Sequence, residues 1–338
     1  MNDLKSKPRV LVILLTYEPA FVRHGNDLLV DYYQKNFQSF VNPVGDFETI
    51  FCISDFSSSA EFKEFLREFV NTNQNSILID GNKDATQWIA FNSAMNQFAD
   101  LDYVVYLASD VRARDRYWLK NLMDDMEDPD VFMVQTTVTF DGYHFQTQPE
   151  SLNEPSRLLN FPECLNLHGA LFRYTLFEEF DGRYPDIFSG NYTEYCLMYM
   201  LAALNKKCVI NFKTNLIHDR FHSFRHDRTS KDNFKVRNDA YNADVAYFKK
   251  IRFFLPLGEF FSRKNHFYAK FRKIISWWRK EPVLLPFFYL FEKIGYKNFI
   301  TMDKEQRIAL IKVLFYQKSG HYPGYTWNIL GSETKYLK

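Results

Sequence analysis

The chain has 338 residues, a formal net charge of +1, 46% hydrophobic residues and 25% charged residues. That balance excludes a disordered or collagen-like chain, and no stretch approaches the ~20 consecutive apolar residues that span a bilayer. Single cores stop growing at ~250–300 residues, so a main domain with a substantial appendage is expected.

In chain order, the first half alternates short β-branched or apolar runs with helical patterns. This predicts an α/β domain with a mainly parallel mixed sheet flanked by helices. The candidate strands are residues 9–15, 47–53, 76–80, 102–107 and 131–138. Between the second and third, Phe62, Phe65, Leu66 and Phe69 fall at i, i+3, i+4 and i+7, one stripe of a helix. Ser58 and Glu61 form a capping box at its start. Residues 141–165 are polar and punctuated by Pro149, Pro155 and Pro162, which reads as a long loop. A helix over 193–204, a strand over 208–212 and a polar His-rich segment over 218–226 follow.

The last third differs in charge. Residues 249–300 hold twelve Lys/Arg against three Asp/Glu, which leaves the first 248 residues net acidic. Within this tail Phe267, Tyr268, Phe271, Ile274, Ile275 and Trp278 follow a helical stripe. Lys270, Arg272, Lys273, Arg279 and Lys280 take other positions before Pro282 ends it. Such a helix either lies on an anionic membrane, giving peripheral contact through 263–291, or packs its apolar side on the main domain. With 35 Phe and 21 Tyr, the chain has many rings either to bury or to face a lipid or glycan surface.

Cys52, Cys164, Cys196 and Cys208 show no paired spacing, so reduced thiols are expected rather than a zinc site or a disulfide framework. The apolar run 10–15 is shorter than the ~7–15 residues of a secretory h-region, so a cytoplasmic location is expected. An acidic body without a recognisable reading module gives no expectation of nucleic acid as a partner.

Polar residues follow the candidate strands, where open α/β sheets place their ligands. They are Thr16, Tyr17 and Glu18, then Ser54, Asp55, Phe56 and Ser57, then Asp80, Gly81 and Asn82, then Ser109 and Asp110. No glycine-rich phosphate loop accompanies them, which disfavours dinucleotide and P-loop chemistry.

The order VLVILLTYE (10–18), ISDFSS (53–58), AFNSA (90–94) and DYVVYLASDV (102–111) resembles the nucleotide-binding half of family-2-type nucleotide-sugar glycosyltransferases with the GT-A fold. HGALFR (168–173), FEEFDGRYPDIF (177–188) and TEYCL (193–197) are similar to that family's acceptor-side segment, and His218 matches its metal-binding histidine. Two positions depart from the family pattern. Ala108 stands where the first Asp of an Asp-x-Asp is usual, and Thr193-Glu194 replaces an acidic pair. The resemblance implies a GT-A domain over 1–230, with a nucleotide half to about 140 and an acceptor-side half beyond it, followed by a helical basic region over 231–338.

It also implies roles. Thr16, Tyr17, Glu18, Asp55, Asn82, Ser109 and Asp110 would bind a nucleoside-diphosphate sugar donor. Asp110 and His218 would hold Mn²⁺ or Mg²⁺ against the charge developing on the diphosphate. Glu194, ionised with an ordinary pKa of ~4.3, would take the proton of an acceptor hydroxyl on a surface glycan or lipid-linked acceptor in one inverting displacement. Plainer readings stay open beside these. Asp55 and Asp110 are also turn residues, Glu194 suits a helix first turn, and His218 with His222 and His226 could share one polar face. A catalytically silent nucleotide-sugar-binding protein on the same fold is the alternative.

Overall fold

The sequence RVLVILLT forms β1 (Arg9–Thr16), buried on both faces as an apolar run without alternation requires. The computed structural model describes residues 7–16, 23–24, 27–28, 30–55, 60–80, 87–140, 143–144, 155–159, 168–186, 188, 193–218, 244, 299 and 301–316. After β1 come β2 (Arg23–His24), β3 (Asp27–Leu28), α1 (Val30–Gln38), β4 (Glu48–Asp55), α2 (Ala60–Thr72), β5 (Ser76–Asp80), α3 (Gln87–Met95) and β6 (Tyr103–Ala108). Then follow β7 (Val111–Ala113), α4 (Trp118–Asp125), β8 (Val131–Phe140), β9 (Tyr143–His144), β10 (Ser156–Leu159), β11 (Gly169–Arg173) and α5 (Thr175–Glu178). The last are α6 (Thr193–Ala203), β12 (Lys207–His218) and α7 (Lys304–Phe315).

Among the described residues ten strands form one sheet in the order β10-β12-β8-β11-β6-β1-β4-β5, with β7 joined to β12 and β9 to β8. The long registers are parallel: β1 with β4 and β6, β4 with β5, and β8 with β12. β7, β9, β10 and β11 pair antiparallel, over five residues at most. The expected mainly parallel mixed sheet is therefore the one that folds, and all five predicted strands form with ends shifted by at most two residues.

Alternation along β1 sorts the core into two layers. Val10, Val12 and Leu14 meet α1, α2 and α4, while Leu11, Ile13 and Leu15 share the other face with α3, α5, α6 and α7. On α2 the stripe Phe62, Phe65, Leu66 and Phe69 is buried as its spacing predicts, each ring contributing about 1.5–3 kcal/mol by leaving water. The Thr72 hydroxyl and the Asn73 amide donate to the Phe69 carbonyl, and Asn75 turns the chain out at φ 60°.

Three features differ from the sequence expectation. The described part of 141–165 contains β9 and β10 instead of loop alone. β10 is an edge strand with Leu158 exposed, too short and proline-flanked to carry a period. The strand expected over 208–212 runs on to His218, with an irregularity between Asn211 and Asn215 where its register to β8 shifts. GALFR is a strand, β11, inserted antiparallel between β6 and β8. It fits because Gly169 lacks a Cβ, which would stand 2.7 Å from Leu216 Cδ1 and 3.2 Å from Thr136 Oγ1.

α6 has no polar stripe because it is covered on both sides, by the sheet and by α7. Asp303 caps α7, its side chain accepting from the Gln306 amide at 2.7 Å. Arg307 donates to the Ala202 carbonyl and Asn205 Oδ1, and Lys304 and Lys312 pair with Glu179 and Asp181. Tyr316 stacks on Phe180, and its hydroxyl donates to the Arg183 carbonyl at 2.8 Å. Cys52, Cys196 and Cys208 are buried thiols outside any disulfide. Ser58, the tail segment 263–291, His222, His226 and Cys164 lie outside the described residues.

Candidate active site

The parallel strands deliver their carboxyl ends to one edge. Thr16, Asp55 and Asp80 stand in adjacent register there, and Ala108 ends β6 beside Leu15. The Thr16 hydroxyl donates to Asp55 Oδ1 at 3.0 Å. Lys63, from α2, sets its Nζ 3.8 Å from Asp55 Oδ2 and pairs more closely with Asp80. Asp55 is 1% exposed, so its carboxylate locks the strand ends together, whereas the half-exposed Asp80 carries charge to the open side. Tyr17, Glu18 and Asn82 lie outside the described residues.

Past β6 the chain turns at Ser109 and Asp110. The Asn36 amide donates to the Ser109 carbonyl and the Tyr32 hydroxyl to the Asp110 carbonyl, both at 3.3 Å, so α1 holds the turn from below. β7 then leaves by pairing Val111 with His218, the last residue of β12. That crossing brings together two side chains 108 positions apart in sequence: His218 Nε2 lies 3.1 Å from Asp110 Oδ2. Burial works to raise the Asp110 carboxyl, but the hydrogen bond and charge of His218 outweigh it and hold it below the ordinary carboxylate value.

His168, which precedes β11, completes the surroundings. Its carbonyl accepts from the Ala108 amide at 3.0 Å, and its ring meets that of His218 edge to face at 5.0 Å. Burial pushes the His168 imidazole down to about 4, against an upward pull from Asp110.

Glu194 sits in the first turn of α6. The buried Tyr106 hydroxyl feels both carboxylates: burial first, then the negative charges of Asp110 and Glu194, push its pKa up. Tyr106 packs on Trp88, which stacks on Tyr184 at 4.6 Å and 15°. Tyr184 is pinned by a reciprocal pair, its amide donating to Asn92 Oδ1 at 2.7 Å and its carbonyl accepting from Asn92 Nδ2 at 3.0 Å. Phe177, Phe180, Tyr184 and Phe188 of the segment FEEFDGRYPDIF are therefore buried in the same core cluster as α3 and α6.

The donor chemistry fits a divalent cation through two protein groups. Two ligands at right angles on bonds of ~2.1 Å stand about 3 Å apart, the separation of Asp110 Oδ2 from His218 Nε2. Among the described residues no group of three His, Cys, Asp or Glu side chains is arranged to hold a metal ion. A cation here would need its other oxygens from groups outside these two side chains.

His168, Tyr106 and Lys63 went unread in the sequence. His168 could be found only by knowing that β11 runs antiparallel, which brings the start of that strand, not its end, to the ligand edge.

No family model matches the sequence, and no curated protein does. Among solved structures the chain is similar to S. aureus TarS, with 14% identity and a TM-score of 0.46 over 80% of this chain and 47% of that one. It thus spans about half the length of that protein. It is also similar to a mannosyltransferase from Pyrobaculum calidifontis in complex with GDP-Man and Mn²⁺, with 13% identity and a TM-score of 0.48 over 91% of this chain and 87% of that one.

Proposed function

We propose that the chain is a glycosyltransferase that moves a sugar from a nucleoside-diphosphate donor to a hydroxyl of a surface glycan or lipid-linked acceptor, with inversion. The observation that carries this reading is the meeting of Asp110 and His218, 3.1 Å apart at the carboxyl edge of the parallel strands. Thr16 and Asp55 would shape the nucleoside side of that edge. Asp110 and His218 would hold Mn²⁺ or Mg²⁺, which when bound offsets the charge growing on the departing diphosphate. Glu194, within electrostatic reach of Tyr106 as Asp110 is, would accept the acceptor's proton as the anomeric carbon is attacked from the opposite face. The buried aromatic floor of Trp88 and Tyr184 excludes water beneath.

A panel of nucleotide sugars with glycan and lipid-linked acceptors, with and without Mn²⁺, tests the reading. One donor should support transfer with an inverted product, and Glu194→Gln should lower the rate by about 10²–10⁴-fold. Full activity in Glu194→Gln or Asp110→Asn would sink the mechanism. Ala108, which leaves the turn with one carboxylate, favours the alternative of a silent nucleotide-sugar-binding protein; calorimetric binding of a donor with no product under either cation would establish it. For the tail, 263–291 would touch an anionic membrane from the cytoplasmic side. Equal partition of the protein between neutral and anionic vesicles would end that part of the proposal.

A further inference from the structure

We infer that His168 is a positioning residue of the cation site, its ring holding the His218 imidazole in the orientation that presents Nε2 to Asp110. The inference rests on the metal reading above. An imidazole turns broadly about χ2, so a histidine at a strand end needs a neighbouring surface to select one orientation. Metal-binding histidines commonly gain this from a second group bonded behind them. Here the edge-to-face contact at 5.0 Å and 74° supplies such a surface, within the range that ring pairs prefer.

The two rings are held from separate strands, which makes the contact an effective stop. On one side the His168 carbonyl accepts from the Ala108 amide, and the next residue's carbonyl accepts from the Thr136 hydroxyl at 3.0 Å. The absence of a Cβ at Gly169 lets Leu216 and Thr136 close in directly behind. On the other side His218 is registered against both Val111 and Phe140. Both backbones are tied into the sheet, so the His168 ring is a fixed surface against which its neighbour is oriented.

Calorimetric titration of Mn²⁺ into the full chain, alone and with UDP or GDP, tests this with His168→Ala and His168→Phe. Loss of the ring in His168→Ala should weaken Mn²⁺ binding by about 10–100-fold, and the ring-retaining His168→Phe should stay within about threefold of the parent. Spin-echo nitrogen couplings to bound Mn²⁺ should report one imidazole in both the parent and His168→Phe. His168→Phe as weak as His168→Ala, or couplings from two imidazoles, would overturn the inference by making His168 nitrogen a ligand or donor. Unchanged affinity in His168→Ala would overturn it too while leaving the metal reading intact. A parent protein that binds no Mn²⁺ in any arm removes the metal reading and this inference together.

Discussion

The sheet is built in two ways. From β5 to β6 it is made of parallel strands, each pair spanned by a nearby helix, and its hydrophobic pattern is local enough to read directly. From β11 to β10 it is assembled by insertions and returns, with β11 entering antiparallel and β12 coming back beside β8 from 75–78 residues away. The first region fixes where ligands are expected; the second brings the residues that would act on them. Asp110 belongs to the first and His218, His168 and Glu194 to the second, so the site exists only where the two regions meet.

The largest test of this division compares one ring from each region. Phe62→Ala on α2 should cost about 3–5 kcal/mol, read as a fall in the denaturation midpoint. Phe315→Ala on α7 should cost a similar amount, because Phe315 lies in the same continuous core as α6. A cost under about 1 kcal/mol for Phe315→Ala would mean that α7 is dispensable to the second region. Gly169→Ala should cost about 1–3 kcal/mol by overpacking against Leu216 and Thr136 at the seam. An unchanged melting temperature there would mean that the two regions are loosely joined. Removing the α7 cap with Asp303→Ala should cost about 1 kcal/mol. Smallest is Lys120→Ala, which deletes an exposed pair with Asp124 on α4 and should cost only about 0.3–0.5 kcal/mol.

Legibility in the sequence follows the same division. β1, β4, β5, β6 and α2 announce themselves through apolar runs and a four-residue apolar stripe, and Thr16, Asp55 and Asp80 do reach one edge. The convergence of Asp110 with His218 was legible only through the order of motifs, since no period links positions so far apart. What stayed hidden was directional. Nothing in GALFR says which way the strand runs, and so nothing in HGALFR says that His168 faces the ligand edge. The inward turn of Asp55 was equally unreadable, because it depends on Lys63 arriving from a neighbouring helix at the right height.

The cover that α7 gives to α6 also sets a clock for synthesis. A ribosome completes α6 about a hundred residues before it reaches α7, an interval of roughly 5–20 s at ordinary elongation rates. Throughout that interval the outer flank of the helix bearing Glu194 lacks its partner. Nascent chains arrested near residue 270, with α6 outside the exit tunnel and α7 not yet made, should therefore be cleaved around α6 by added protease, whereas chains arrested after the whole sequence has cleared the tunnel should resist.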